Sequence, residues 1–98
     1  MNIKALQTFL TVLEAGTLSA AAHKLDISQP AISQQLKALE GELGAQLLVR
    51  GRRGVVELTP AGRLLREYAE NVLRQYQSLL ATLIALKEQS AGILHIAA

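Results

Sequence analysis

The chain has 98 residues, half of them hydrophobic, which is enough for one small domain with its own core and argues against disorder. Its apolar residues are mainly Leu, Ala, Val and Ile, with 3% aromatics, a composition that favours packed helices over a β-sandwich. The absence of Cys excludes disulfides and Cys-ligated zinc, and a net charge of +2 is too small to indicate nucleic-acid binding by itself.

Two helices are predicted at the start of the chain. Apolar residues recur at helical spacing from Ile3 to Leu13, and Gly16 follows where a C-terminal cap belongs. Thr17 can cap a second, shorter helix, whose apolar positions are Leu18, Ala21, Ala22 and Leu25. Because its alanines are small, another helix can cross it closely, so we expect a tightly packed pair.

A third helix is predicted to begin after Ser28, a good N-cap residue, with Pro30 in its first turn, and to end at Gly44. Its buried stripe comprises Ile32, Leu36, Leu39 and Leu43. The residues that point away from this stripe or flank those positions are Gln29, Pro30, Ala31, Ser33, Gln34 and Lys37. Near a helix N-terminus, Gln and Lys can reach base edges in the major groove of B-DNA, where Gln prefers adenine and Lys guanine. A solvated polar surface on an ordinary helical bundle would show the same periodicity.

A basic hairpin is predicted next. Residues 47–50 and 55–58 are short apolar runs on either side of Gly51-Arg52-Arg53-Gly54. The surrounding stretch has Glu57 as its only acid, and its arginines are Arg50, Arg52, Arg53, Arg63 and Arg66. Arginines at a hairpin tip can enter the narrow minor groove of DNA, although a charge cluster is also a common solubilising feature of loops.

Thr59 and Pro60 begin a long helix that we expect to run to about Lys87, some 40 Å at 1.5 Å per residue. This exceeds what a small domain needs to cover its core, so we expect the first half to pack on the other helices and the distal half to dimerise. The residues that recur in three- and four-residue steps, as in a coiled-coil seam, are Leu65, Tyr68, Val72, Tyr76, Leu79, Leu83 and Leu86. Residues 90–92 are expected to break the helix, and Ile93 to Ala98 to begin a strand without a partner.

Two short helices joined by a three-residue turn and followed by a basic hairpin are the layout of a winged helix-turn-helix. The sequence also resembles the LysR-type transcriptional regulators over residues 1 to about 90, through several linked motifs at matching spacings. These motifs are Ala21-Ala22-His23-Lys24-Leu25, Ser28 to Ser33, Leu36 to Glu40 and Leu58 to Gly62. One departure is Leu48, where the family usually has Phe, so the root of the wing would pack less bulk.

The resemblance implies that residues 29–31, Ser33, Gln34 and Lys37 lie in or beside the major groove, and that the wing carries Arg50, Arg52 and Arg53. Ser28 and Ser33 can hydrogen-bond phosphates, and Thr17 completes the expected DNA-binding residues. The resemblance further implies a homodimer through the long helix, with a tetramer left open for the full-length protein. No cofactor is expected in this chain, whereas the full-length protein is expected to bind a small-molecule effector.

We therefore predict a mostly α fold. Residues 1–58 form a winged helix-turn-helix of three helices and a two-stranded wing, with the helix-turn-helix at about 18–37 and the wing at about 47–58. Residues 59–88 form the long dimerisation helix, and residues 89–98 begin a further, effector-binding domain. The predicted function is that of a bacterial transcription regulator that binds an inverted-repeat DNA operator. The alternative is a helical dimerisation or protein-interaction module without DNA readout, which the modest charge and the long seam would also suit.

Catalysis is not predicted, because the sequence contains no nucleophile elbow, Gly-rich phosphate loop or HExxH motif. His23 and His95 have no partners at metal or catalytic spacing. The N-terminal stretch only faintly imitates a signal peptide, and the charge-free run from Gln75 to Leu86 is too short to span a bilayer. We expect a soluble cytoplasmic protein without a membrane partner.

Overall fold

The structure, a computed structural model, describes the backbone of residues 1–97 and the side chains of residues 1–89. In chain order the elements are α1 (Ile3–Ala15), α2 (Leu18–Leu25), α3 (Gln29–Leu43), β1 (Leu48–Arg50), β2 (Val56–Leu58) and α4 (Pro60–Ala97). A short 3-10 turn, Arg52–Gly54, joins the two strands. The mostly helical fold with a two-stranded wing is therefore confirmed.

The ends of the first three helices are set by local capping residues, as the sequence predicts. Gly16 ends α1 in the left-handed region with φ of 87°, and its N–H donates to the carbonyl of Val12. At the next two helix starts, the hydroxyl oxygens of Thr17 and Ser28 each accept a backbone N–H three residues ahead, at 3.0 and 3.2 Å. Gly44 ends α3 with φ of 68°.

The core lies where α1, α2 and α3 meet the first turns of α4. Phe9 and Val12 of α1 pack with Ala21 of α2 and Ile32 of α3, and all four are fully buried. Leu47, just before β1, and Leu65 and Ala69 of α4 complete the same cluster. The start of α4 therefore belongs to the same packed unit as the three short helices.

The wing is attached to the connection between α1 and α2. β1 and β2 are antiparallel, with Leu48 opposite Leu58 and Arg50 opposite Val56. Beyond this ladder, the N–H of Val56 donates to the carbonyl of Gly16 at 2.9 Å, and Thr17 forms a β-bridge with Val55. The wing is thus held against the beginning of α2 and not only by its own hairpin.

The helix α4 is longer than predicted. It was expected to stop near Lys87 and give way to a strand from Ile93, but its backbone stays helical to Ala97, so the predicted helix break and strand are wrong. Among the described residues, β1 and β2 pair only with each other, so a strand here would have left its backbone groups unpaired. A helix satisfies those groups within its own segment, which outweighs the roughly 1 kcal/mol cost of one helical Gly. Ala98 lies outside the described residues, and the start of a further domain at 89–98 stays a prediction.

Within the described part of the chain, no helix is both long and apolar enough to cross a membrane.

Candidate nucleic-acid interface

The outward face of α3 is polar and accessible at its N-terminal end. Gln29, Pro30, Gln34 and Lys37 are exposed, whereas Ala31 and Ser33 are half-buried. On the opposite face, Ile32, Leu36 and Leu39 are buried in the core and so fix the rotation of the helix about its axis. All six side chains that the sequence assigns to the reading face therefore remain at least partly accessible.

Thr17 and Ser28 use their hydroxyl oxygens as helix caps. A hydroxyl group can accept a hydrogen bond and donate one at the same time. The caps of α2 and α3 therefore leave both hydroxyl hydrogens available for an acceptor outside the protein, such as a phosphate oxygen. The partial positive charge of each helix N-terminus favours an anion at the same place.

Arg50 joins the wing to the reading face. Its Nη2 donates to the hydroxyl oxygen of Ser33 at 3.1 Å, so the last residue of β1 contacts the second turn of α3. The sequence places both residues at the site but does not predict that they touch. The wing root, Lys37 and Ser33 also border a groove of about 120 Å³, to which the half-buried Leu48 contributes.

The wing tip presents two exposed cationic side chains, Arg52 and Arg53. The tip closes through a hydrogen bond of 2.7 Å from the N–H of Gly51 to the carbonyl of Val55. Arg53 itself lies in the left-handed region, with φ of 59° and ψ of 26°, and Gly54 follows with φ of 75°. The hairpin thus ends in two exposed arginines, one of which has a left-handed backbone conformation.

A cleft of about 220 Å³ lies between the wing and the N-termini of α2 and α3. It is lined by Thr17, Leu18, Ser19, Gln29, Arg50, Arg53 and Gly54. Two guanidinium groups, hydroxyl groups and the N-terminus of α2 converge here, and each of them favours a negatively charged ligand. The fold thus brings Thr17, Gln29, Arg50 and Arg53, which are distant in sequence, to one concave surface.

Sequence reasoning missed two residues of this region. Ser19 lines the cleft beside Thr17, and its polar side chain directly after a cap residue was an available signal. Glu40 binds the root of the wing, because its Oε2 accepts the N–H of Leu47 at 2.7 Å. A carboxylate close to the C-terminal end of a helix is unfavourable without a partner, which was the signal for Glu40.

The distal half of α4 exposes an apolar face. Leu65 is 6% exposed and lies in the core of its own chain, and Val72 packs against that core, so this part of the predicted seam contributes to the fold itself. Tyr68, Tyr76, Leu79, Leu83 and Leu86 are 37–54% exposed. At the base of the same helix, an apolar groove is lined by Met1, Leu43, Ala45, Leu47, Ala61, Leu64, Leu65 and Tyr68.

Of the two histidines, only His23 has a described side chain. Among the residues that the structure describes, no group of three or more His, Cys, Asp or Glu side chains could hold a metal ion. His23 is exposed in the last turn of α2, and the side chain of His95 lies outside the described residues.

Comparison with known families identifies the class of this domain. Residues 3–63 match the family model described as bacterial regulatory helix-turn-helix protein, lysR family. These residues include α1, α2, α3, the wing and the first residues of α4, which together form the cleft and most of the core. The chain therefore belongs to the LysR family of bacterial regulatory proteins.

Individual relatives agree with this assignment. The chain is 41% identical to the HTH-type transcriptional regulator YtlI of Bacillus subtilis, over 98% of the chain and 30% of that protein. It is similar in structure to the CbnR_DBD-DNA complex, with a TM-score of 0.81 and 41% identity, over 87% of this chain and 97% of that one. It also resembles full-length LysG from Corynebacterium glutamicum with bound effector Arg, with a TM-score of 0.77 and 32% identity, over 87% of this chain and 29% of that one. The chain thus spans about 30% of the length of the curated relative YtlI.

Proposed function

We propose that this chain is the DNA-reading and pairing part of a transcription regulator that binds an inverted-repeat operator as a dimer. One observation carries the proposal: three surfaces that favour DNA adjoin one another. Arg50 contacts Ser33 on the exposed face of α3, and it lines the anion-favouring cleft together with Arg53 from the wing tip. Membership of the LysR family and similarity to a DNA complex support it. The alternative, a protein-interaction module without DNA readout, does not require this arrangement of hydrogen-bond donors and cations.

The residues divide into three roles toward double-stranded DNA. Gln34 and Lys37 are exposed on α3 and read base edges in the major groove, because both side chains carry donors that match purine acceptors. Arg52 and Arg53 enter the adjacent minor groove from the wing tip. Around them, phosphate oxygens of the DNA backbone are bound by Thr17, Ser28, Gln29, Ser33 and Arg50, and Pro30 and Ala31 pack beside the DNA.

The dimer forms through α4, in an antiparallel arrangement. About a centre between residues 75 and 76, six of the seven seam positions match one another when read from either end, so that Tyr68 lies opposite Leu83 and Val72 lies opposite Leu79, whereas Tyr76 lies opposite Gln75. This pairing places the exposed distal leucines of one copy against the apolar groove at the base of α4 in the other. Both surfaces would otherwise remain exposed to water, which disfavours large contiguous apolar patches.

In the full-length regulator, a small molecule controls operator binding by the dimer. This binding takes place in the bacterial cytoplasm, where the operator lies. A longer relative with a bound effector, LysG, supports an effector-binding part beyond this chain. A tetramer in the full-length protein would bring two such dimers to one regulatory region. In this scheme the chain itself binds DNA and needs neither a cofactor nor a catalytic step.

Selection of DNA from a random-sequence pool by the purified chain tests the proposal. We expect enrichment of an inverted repeat whose half-sites are about 10 base pairs apart, because one reading helix serves each half-site. If the selected pool remains random in sequence, while the chain is folded and dimeric, the proposed operator recognition is wrong.

A further inference from the structure

The segment Gln46–Leu48, which connects α3 to β1, is held by two other parts of the fold. From α3, Oε2 of Glu40 accepts the N–H groups of Leu47 at 2.7 Å and of Leu48 at 3.4 Å. From the start of α4, Thr59 donates its N–H to the carbonyl of Leu47 at 3.0 Å and its hydroxyl to the carbonyl of Gln46. The reading helix, the wing and the dimerisation helix therefore all meet at this segment.

Gly62 allows α4 to lie directly on the segment. A Cβ at this position would be 2.1 Å from the carbonyl oxygen of Leu47 and 2.8 Å from Cδ2 of Leu58. The first of these atoms belongs to the backbone and cannot rotate away as the end of a flexible side chain can. The direction in which α4 leaves the core thus depends on the absence of a side chain at Gly62, and the position of Leu47 depends on Glu40.

A small change in the direction in which α4 leaves the core has a large effect on the relative positions of the two α3 helices in the dimer. The distance along α4 from Gly62 to the centre of the seam is about 20 Å at 1.5 Å per residue. Rotation of α4 by about 10° around Gly62 would move that centre by roughly 3.5 Å relative to the core that carries α3, close to the 3.4 Å rise of one base pair. An angle of this size is therefore enough to change which half-site spacing fits the dimer.

We infer that Gly62 and Glu40 are positioning residues that set the angle between α4 and the DNA-binding core, and thereby the spacing of the two half-sites that the dimer accepts. Neither residue needs to contact DNA for this role. The inference rests on the proposed function, because a spacing preference requires a dimer that reads two half-sites.

The test uses the 98-residue chain and a series of DNA duplexes that carry the same two selected half-sites at spacings from shorter to longer than the preferred one. For Gly62→Ala we expect a changed preference, with binding at the original spacing reduced about tenfold and another spacing bound best. Gly41→Ala is the matched control, because a Cβ at this exposed position of α3 meets nothing within 4 Å and φ is not left-handed. The control should keep the original preference.

Circular dichroism and light scattering first establish that each variant is a folded dimer. If folded Gly62→Ala retains the original spacing preference and affinity, the inference is overturned. If Gly62→Ala does not fold, Glu40→Gln decides instead: loss of the charge-assisted bond to Leu47 should reduce the discrimination between the best and second-best spacing about threefold, and unchanged discrimination overturns the inference. Failure of the unchanged chain to prefer any spacing would instead contradict the proposed function.

Discussion

Arg53 at the wing tip has a backbone conformation that a long side chain does not favour, with φ of 59°. For residues other than Gly, Asn and Asp, the left-handed region costs roughly 1–2 kcal/mol because Cβ approaches the following carbonyl oxygen. Within the part of the chain that the structure describes, the Arg53 side chain forms no hydrogen bond or ion pair that would compensate for this strain. Strained backbone conformations are found preferentially at binding sites, and the exposed charge of Arg53 lies beside the cleft.

Substitution Arg53→Asn should separate stability from binding. We expect the free energy of unfolding to increase by about 0.5–1 kcal/mol, because Asn tolerates the left-handed region better. DNA affinity should fall, and the slope of log K against log salt should decrease by about one, because one cation is lost. Urea unfolding and binding titrations at several salt concentrations measure these effects.

Arg52→Asn is the matched control, because it removes the same charge from the same hairpin tip without a left-handed residue. It should weaken DNA binding without stabilising the fold. An Arg53→Asn variant that is less stable than the unchanged chain would contradict the strain that we assign to Arg53.

At the scale of single elements, α3 has a buried apolar stripe and one interior glycine, Gly41, whose lack of a side chain is not needed for any close contact. Gly41 lies in the helical range Gln29–Leu43, is exposed, and has open space where a Cβ would lie. A glycine inside a helix is less favourable than alanine because the unfolded chain loses more backbone freedom on folding. Substitution by alanine is therefore expected to have opposite effects on stability at Gly41 and at Gly62, although both glycines lie in helices.

Gly41→Ala should stabilise the chain by about 0.5–1 kcal/mol, measured by urea unfolding, and leave DNA affinity unchanged. Gly62→Ala should destabilise it in the same assay, because the added Cβ meets the carbonyl oxygen of Leu47. Equal effects of the two substitutions would show that close packing at Gly62 does not constrain the fold.

The elements differ in how well the sequence predicts them. Gly16, Thr17, Ser28 and Gly44 set helix ends through bonds within a few residues, so their signals are local and their positions were predicted correctly. The contacts of Ser33 with Arg50 and of Glu40 with Leu47 join segments that only the fold brings together, so no local pattern reveals them. The predicted end of α4 was wrong because the short apolar run around His95 was interpreted as the start of a strand, whereas the described residues contain no strand with which it pairs.

At the scale of the whole molecule, α4 has a different role in each half. Its first turns bury Leu65 and Ala69 in the core, whereas Leu79, Leu83 and Leu86 lie beyond the other helices and are about half-exposed. Such a face is stabilised when a second copy covers it, because apolar surface is removed from water. The fold of one chain and the proposed dimer thus use successive parts of the same apolar stripe.

Leu83→Lys should convert the dimer to a monomer without unfolding the chain. Burial of a leucine contributes about 1.5–3 kcal/mol, and the substitution affects both copies, so the dimer dissociation constant should rise about 100-fold or more. Operator affinity should fall as well, because each monomer reads one half-site. Analytical ultracentrifugation measures the association.

Ala81→Lys is the control for this substitution, because it adds the same charge to an exposed position on the opposite face of α4. It should remain dimeric. A dimeric Leu83→Lys variant would place the interface elsewhere on the molecule.

The most direct test of DNA reading by this chain is a fluorescence anisotropy titration of its selected inverted repeat, compared with a duplex of the same bases in shuffled order. We expect the inverted repeat to bind about 1,000-fold more tightly or better, with both affinities decreasing as salt increases. Equal affinity for the two duplexes at every salt concentration would contradict sequence-specific recognition by α3 and the wing.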